Sequence, residues 1–202
     1  MTPRPRTVSD EQILYATQRI MSRLGPTKLT LAAVAKEAGL SAATLVQRFG
    51  SKRGLMLALW ASALDGVDGC FDAHRPANSS PLAALVSAAT MMSRDTKSPE
   101  EMANSLAFLQ IDLSDPEFHK NMLVLSERTE AGYQALLDEA VRRRELVKCD
   151  TARLARAVNA IAGGSLIAWA VFRKGSAERW VRADLETLLK PYRRGGRGAA
   201  RA

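Results

Sequence analysis

The side chains best equipped for contact chemistry fall in one short stretch, Thr30–Arg53, which reads TLAAVAKEAGLSAATLVQRFGSKR. Thr30 and Thr44 bring hydroxyls, Gln47 an amide, and Arg48, Lys52 and Arg53 fixed positive charge. These groups donate hydrogen bonds and neutralise anions, which is what holding a phosphate backbone and reading a base edge require. No nucleophile–base pair and no metal-ligand spacing accompanies them. His74 and His119 stand apart near expected helix boundaries, so neither an enzyme nor a metal or other cofactor is expected.

Two short helices position these groups. The first is expected over Leu31–Ala38, with Thr30 as its N-cap. At 100° per residue Leu31, Val34, Ala35 and Ala38 share its inner face. Gly39 supplies the left-handed residue that ends it, and Ser41 caps the next helix. There Ala42, Leu45, Val46 and Phe49 are expected to point inward, and Ala43, Thr44, Gln47 and Arg48 outward. A short helix with a small, amide-bearing and basic outer face suits a DNA major groove. An ordinary helical hairpin in a core is the competing reading. Lys52 and Arg53 open the following helix, where the dipole disfavours cations, and a phosphate bound nearby would explain them.

Charge along the chain points the same way. Residues 1–60 hold nine Lys/Arg against three Asp/Glu, residues 61–189 fifteen against eighteen, and residues 190–202 five against none. The net charge of +8 is therefore confined to the two ends, and a polyanion is the expected partner of the first part only. A hydrophobic content of 47% over 202 residues supports a real core. Cys70 and Cys149 are isolated thiols, as in a reducing cytoplasm; for Cys149 a redox role competes with a plain structural one. The N-terminal residues lack an apolar core, and the run 157–172 is shorter than the roughly 20 residues of a membrane span. A cytoplasmic protein without a membrane partner is expected.

The remaining pattern is helical throughout. A basic arm (Pro3, Arg4, Pro5, Arg6) precedes a helix opened by a Ser9/Gln12 capping box and stopped at Gly25-Pro26. Ser51 caps a long fourth helix, and a polar connector spans His74–Ser80. Further helices start at Ser80-Pro81, Ser98-Pro99, Asp115-Pro116, Asp150 and Ser176. The fold expected is all-α, with about nine helices. Residues 1–53 are expected to form a helix-turn-helix domain, residues 54–191 a helical dimerisation domain, and residues 192–202 a basic tail. In the helix begun at Asp150, residues 157–170 are apolar nearly all round and include Gly163-Gly164, which suggests close approach of a second subunit. Ile161, Gly163, Gly164, Trp169, Trp180 and Leu188 are the expected dimer contacts. Phe71, Met92, Met102, Phe108, Met122 and Trp169 are candidate pocket residues for an apolar ligand, with Asn104, Gln110, Tyr133 or Asn159 as polar anchors.

Ile13-Leu14 with Ala16, Gly25, Thr30-Leu31, Val34-Ala35, Ala38-Gly39-Leu40-Ser41, Thr44-Leu45, Phe49, Ser51-Lys52 and Leu55 resemble the tetracycline-repressor (TetR) family of transcriptional regulators. The resemblance covers roughly residues 8–60. It implies a homodimer that grips a palindromic double-stranded DNA operator, and a variable helical C-terminal domain that usually binds a small molecule. It also implies that Thr30, Thr44 and Lys52 hold phosphates while Ala42, Ala43 and Gln47 face bases. Two positions depart from the family pattern. Val46 replaces a phosphate-contacting Tyr and is read as a core residue. Arg48 replaces a His or Tyr and is read as restoring phosphate contact. Gln47 suits adenine, and Ala43 with the Thr44 methyl suits thymine, so A·T pairs are expected under the recognition helix. A non-DNA adaptor with basic ends on a membrane surface, and a DNA-binding regulator without a ligand, are the alternatives.

Overall fold

The computed structural model describes residues 8–73 and 80–194. Most of the basic arm, His74 and most of the connector after it, and the tail beyond Arg194 lie outside the described residues. The described chain forms ten α-helices: α1 (Asp10–Lys28), α2 (Leu31–Ala38), α3 (Ala42–Phe49), α4 (Lys52–Ala73), α5 (Pro81–Ala89), α6 (Met91–Asp95), α7 (Pro99–Ser114), α8 (Pro116–Arg142), α9 (Thr151–Phe172) and α10 (Ala177–Leu189), with a 3-10 turn at Lys190–Tyr192. Among the described residues the only extended pairing is an isolated antiparallel bridge between Leu146 and Arg193. The all-α expectation holds, with one more helix than counted.

The additional helix arises at Thr90, where one expected helix divides into α5 and α6. The Thr90 hydroxyl donates to the carbonyls of Val86 at 2.8 Å and Ser87 at 3.2 Å, and Arg94 donates to the Ser87 carbonyl at 3.1 Å. Side chains thus satisfy carbonyls at the end of α5, and the backbone turns. The other boundaries follow from capping. Ser9 and Gln12 form the reciprocal box, and Thr30, Ser41, Ser80, Asp150 and Ser176 each accept a backbone N–H in the first turn of their helix. Ser51 does the same for Gly54.

The chain divides into two compact units. One comprises residues 1–65 with 103–122, the other residues 66–102 with 123–202. Compactness therefore groups parts of α7 and α8 with the N-terminal helices, whereas the sequence-based boundary at residue 53 follows the end of the helix-turn-helix. In the first unit Ile13, Ile20, Leu29, Val34, Leu45 and Leu55 form a core joined by Phe108 and Phe118. Gly25 locks this arrangement. Its φ of 69° and ψ of 176° break the helical path of α1 near its end, and the Asn104 amide donates to the Ser22 carbonyl at 2.7 Å beside it. A Cβ on Gly25 would lie 2.5 Å from Asn104 Oδ1.

In the second unit α9 packs on α10 around Leu154, Val158, Leu166, Val181, Leu185 and Leu189. Phe71 meets Tyr133 edge to face at 5.3 Å. The membrane argument needs correction for this unit. The run 157–172 is only part of α9, and α9, like α4, has 22 residues and is apolar enough to cross a membrane by length and composition. The buried stripe of α9 against α10 is what a core helix of a folded domain has.

Candidate nucleic-acid interface

Helices α2 and α3 meet at Gly39, whose φ of 70° and ψ of 31° supply the left-handed turn. Its N–H bonds the Ala35 and Lys36 carbonyls and closes α2. Leu45 is fully buried and Phe49 half-buried, and together they fix the inward direction of α3. Ala42, Ala43, Val46 and Gln47 are exposed. The inward placement of Ala42 and Val46 is therefore corrected. Val46 is 50% exposed, because it lies 100° ahead of Leu45 on the shoulder of an eight-residue helix where nothing covers it.

The polar groups separate into free and engaged. Gln47 is exposed. Thr30 Oγ1 accepts the Ala33 N–H at 3.1 Å, which leaves the hydroxyl proton for an outside acceptor. Thr44 Oγ1 lies 2.9 Å from Ser41 Oγ. Lys52 Nζ donates to the Pro26 carbonyl at 2.7 Å, so its ammonium stands half-buried against the end of α1. Arg48 differs most from expectation. Its guanidinium donates to the Val8 carbonyl at 2.7 Å and pairs with Asp10 at 2.6 Å. That charge is already matched inside the chain and joins α3 to the start of α1.

Arg53, read with Lys52 as a phosphate ligand, is likewise occupied. It grips Asp115 through two bonds of 2.7 and 3.1 Å, reaches Glu117 at 2.7 Å and lies over the Phe118 ring at 4.7 Å. The Arg53 hydrogen bond, helped by backbone N–H groups of Phe118 and Glu117, holds the Asp115 carboxyl below its ordinary value. A carboxylate pair this far away in sequence leaves no local signature at residue 53.

The other expected sites are less gathered. Among the candidate pocket residues Phe108 belongs to the core of the first unit, and Met122 is its last residue. Phe71, Met102 and Trp169 are buried in the second unit, where Met92 is 57% exposed. Two surface depressions, of about 230 Å³ beside Val8, Tyr15 and Glu37 and about 520 Å³ beside Gln110 and Pro116, contain none of the six. Asn104 is used at Gly25, and Asn159 donates to Glu130 at 3.3 Å.

Of the expected dimer contacts, Gly164 is exposed and Ile161, Gly163, Trp180 and Leu188 are half-buried. Trp169 is corrected to a core residue: it is 5% exposed and donates its indole N–H to the Gly175 carbonyl. A Cβ on Gly163 or Gly164 would meet nothing within 4 Å, so the described residues offer no partner backbone to explain the two glycines. Ala160, Gly164, Ile167 and Val171 instead form an exposed apolar stripe along α9. Among the described residues no group of three or more His, Cys, Asp or Glu is placed to hold a metal ion. Burial, with Asp150 and Asp138, pushes the Cys149 thiol up, which keeps it protonated near neutral pH.

Residues 13–59 match the family model of bacterial regulatory proteins of the tetR family. No curated protein sequence matches the chain. Solved structures share its fold. A TetR transcription regulator from Haloarcula marismortui superposes with a TM-score of 0.73 at 17% identity, over 92% of this chain and 98% of that one. The TetR family transcriptional regulator PfmR from Thermus thermophilus gives 0.59 at 24% identity, over 97% and 100%. A putative fatty acid metabolism regulator from Clostridium perfringens gives 0.55 at 18%, over 88% and 96%. The capped α2–α3 pair thus lies inside the segment that matches the tetR family model, and the chain shares the helical fold of solved TetR regulators along its length.

Proposed function

We propose that the protein is a transcriptional repressor that binds a palindromic operator as a homodimer and leaves it when a small apolar molecule binds. The observation that carries the DNA part is the outer arc of α3, exposed on a helix fixed at both ends and held by a buried Leu45. Thr30, Thr44 and Lys52 surround it as phosphate donors, and Ala42, Ala43 and Gln47 are the base-facing set. The exposed stripe of α9, with open space at Gly163 and Gly164, supports the dimer. An acyl or aromatic compound is the ligand class that fits apolar helices, and one structural neighbour is named for fatty acid metabolism.

Two recognition helices enter successive major grooves when they stand about 34–36 Å apart. A ligand that favours a different spacing releases DNA in proportion to that preference. Selection of bound duplexes from a random pool, scored for palindromy, tests the reading directly. Inverted repeats rich in A·T under α3 are expected, and recovery of unrelated sequences would reject it. Operator release is then measured on titrating long-chain acyl compounds; unchanged operator affinity with demonstrated ligand binding rejects the release mechanism. A regulator without a ligand is the second reading, favoured by Met92, which is 57% exposed, and by Phe108, which belongs to the core of the first unit.

A further inference from the structure

Resting on the DNA-binding reading above, we infer that the recognition helix reads thymine 5-methyl groups and that Val46 is the specificity-determining residue that does so. The outer arc of α3 is Ala42, Ala43, Val46 and Gln47, and Gln47 alone among them carries a hydrogen-bonding side chain. Arg48, which would suit guanine, is turned away to Asp10 and the Val8 carbonyl. Thr44 is partly buried with its hydroxyl beside Ser41. Beside the Gln47 amide, what remains toward a partner is methyl groups, and the largest apolar side chain is Val46, half exposed where a core residue was expected.

In the major groove thymine is the base that presents an apolar group, its 5-methyl; the other edges present donors and acceptors. An isopropyl group pressed on cytosine N4 or guanine O6 strips water from a polar atom and returns no hydrogen bond, so the same residue that favours thymine opposes G·C. The position opposite Val46 is therefore held by apolar contact on one side and a desolvation penalty on the other.

Uracil keeps every polar atom of thymine and lacks only the methyl, which gives a clean probe. The full-length protein is used with the best duplex recovered from a random pool, and each thymine under α3 is replaced in turn by deoxyuridine. One replacement in each half-site is expected to weaken wild-type binding about fifteenfold, about fourfold for each of the two methyls lost, the factor carried by one buried methylene-sized group. Val46→Ala should bind the thymine duplex about as weakly and show no further loss with deoxyuridine. Alanine is the strongest helix former and Val46 is half exposed, so the variant is expected to fold, and circular dichroism checks this. Gln47→Ala should keep the deoxyuridine penalty. A wild-type protein indifferent to deoxyuridine, or an equal penalty in Val46→Ala, overturns the inference while leaving DNA binding intact. Failure to recover any preferred duplex overturns both.

Discussion

Lys52 carries three N–H donors, and the Pro26 carbonyl uses one of them. The same ammonium can thus tie α4 to the end of α1 and still face a phosphate. Lys52→Ala is expected to weaken binding to all sequences alike and to lower the salt slope by about one per half-site. It should also cost about 1 kcal/mol of stability, measured by urea unfolding, through loss of the internal bond. Gln47→Ala should leave stability within about 0.5 kcal/mol and relax preference at one base pair. Arg48 behaves differently because Asp10 already matches its charge. Replacing Asp10 with Asn is expected to tighten binding to non-specific DNA and steepen the salt slope by up to about one per subunit, since it frees that guanidinium for a phosphate. A slope unchanged in Asp10→Asn would show that Arg48 does not reach the backbone even when released.

At the scale of elements, the kink near the end of α1 depends on one glycine. Gly25→Ala forces a side chain into a glycine-only backbone region, costing about 1–3 kcal/mol, and sets a Cβ 2.5 Å from Asn104 Oδ1. Adding Asn104→Ala should relieve the clash but not the backbone strain, and a double-mutant cycle by thermal unfolding separates them. The start of α4 is tied to Asp115 and Glu117 by Arg53, and the Asp115 pair makes it pH-sensitive at low pH. Asp115 is held below its ordinary 3.8, chiefly by the Arg53 bond. Its contribution to stability is present in full above that value and disappears as pH falls through the lower folded one. Arg53→Ala should raise the Asp115 pKa in an NMR titration and move acid unfolding to higher pH. The sequence made the local parts of this architecture readable, because Ser9, Thr30, Ser41 and Asp150 act within their own first turn and Gly39 within its own turn. Arg48 with Val8 and Asp10, Arg53 with Asp115, and Asn104 with Ser22 join positions separated by dozens of residues, and no spacing rule announces them. Val46 was misplaced for a geometric reason: in eight residues a shoulder position and an inner one differ only by what packs against them.

At the scale of the whole molecule, the positive charge and the apolar stripe of α9 are found in different parts of the chain. Residues 1–60 carry three times as many basic as acidic groups, while residues 61–189 are slightly acidic and hold the α9 stripe. The former suits a polyanion and the latter a neutral, self-complementary surface. A two-fold interface brings the same stripe together from both copies, so a single substitution acts twice. Ile167 is 42% exposed in the chain, and a charge there costs the isolated fold little. Buried against its counterpart, two such charges repel and lose water. Ile167→Glu is therefore expected to keep its helical circular dichroism and sediment at the single-chain mass of 21.9 kDa, where wild type sediments at twice that. Its affinity for one half-site should be unchanged, while the advantage of the full palindrome disappears, because that advantage comes from linking two reading heads. Loss of half-site binding as well would mean that the substitution unfolds the chain. A wild-type protein that sediments as a single chain while preferring palindromes would place the dimer contact on DNA instead of on α9.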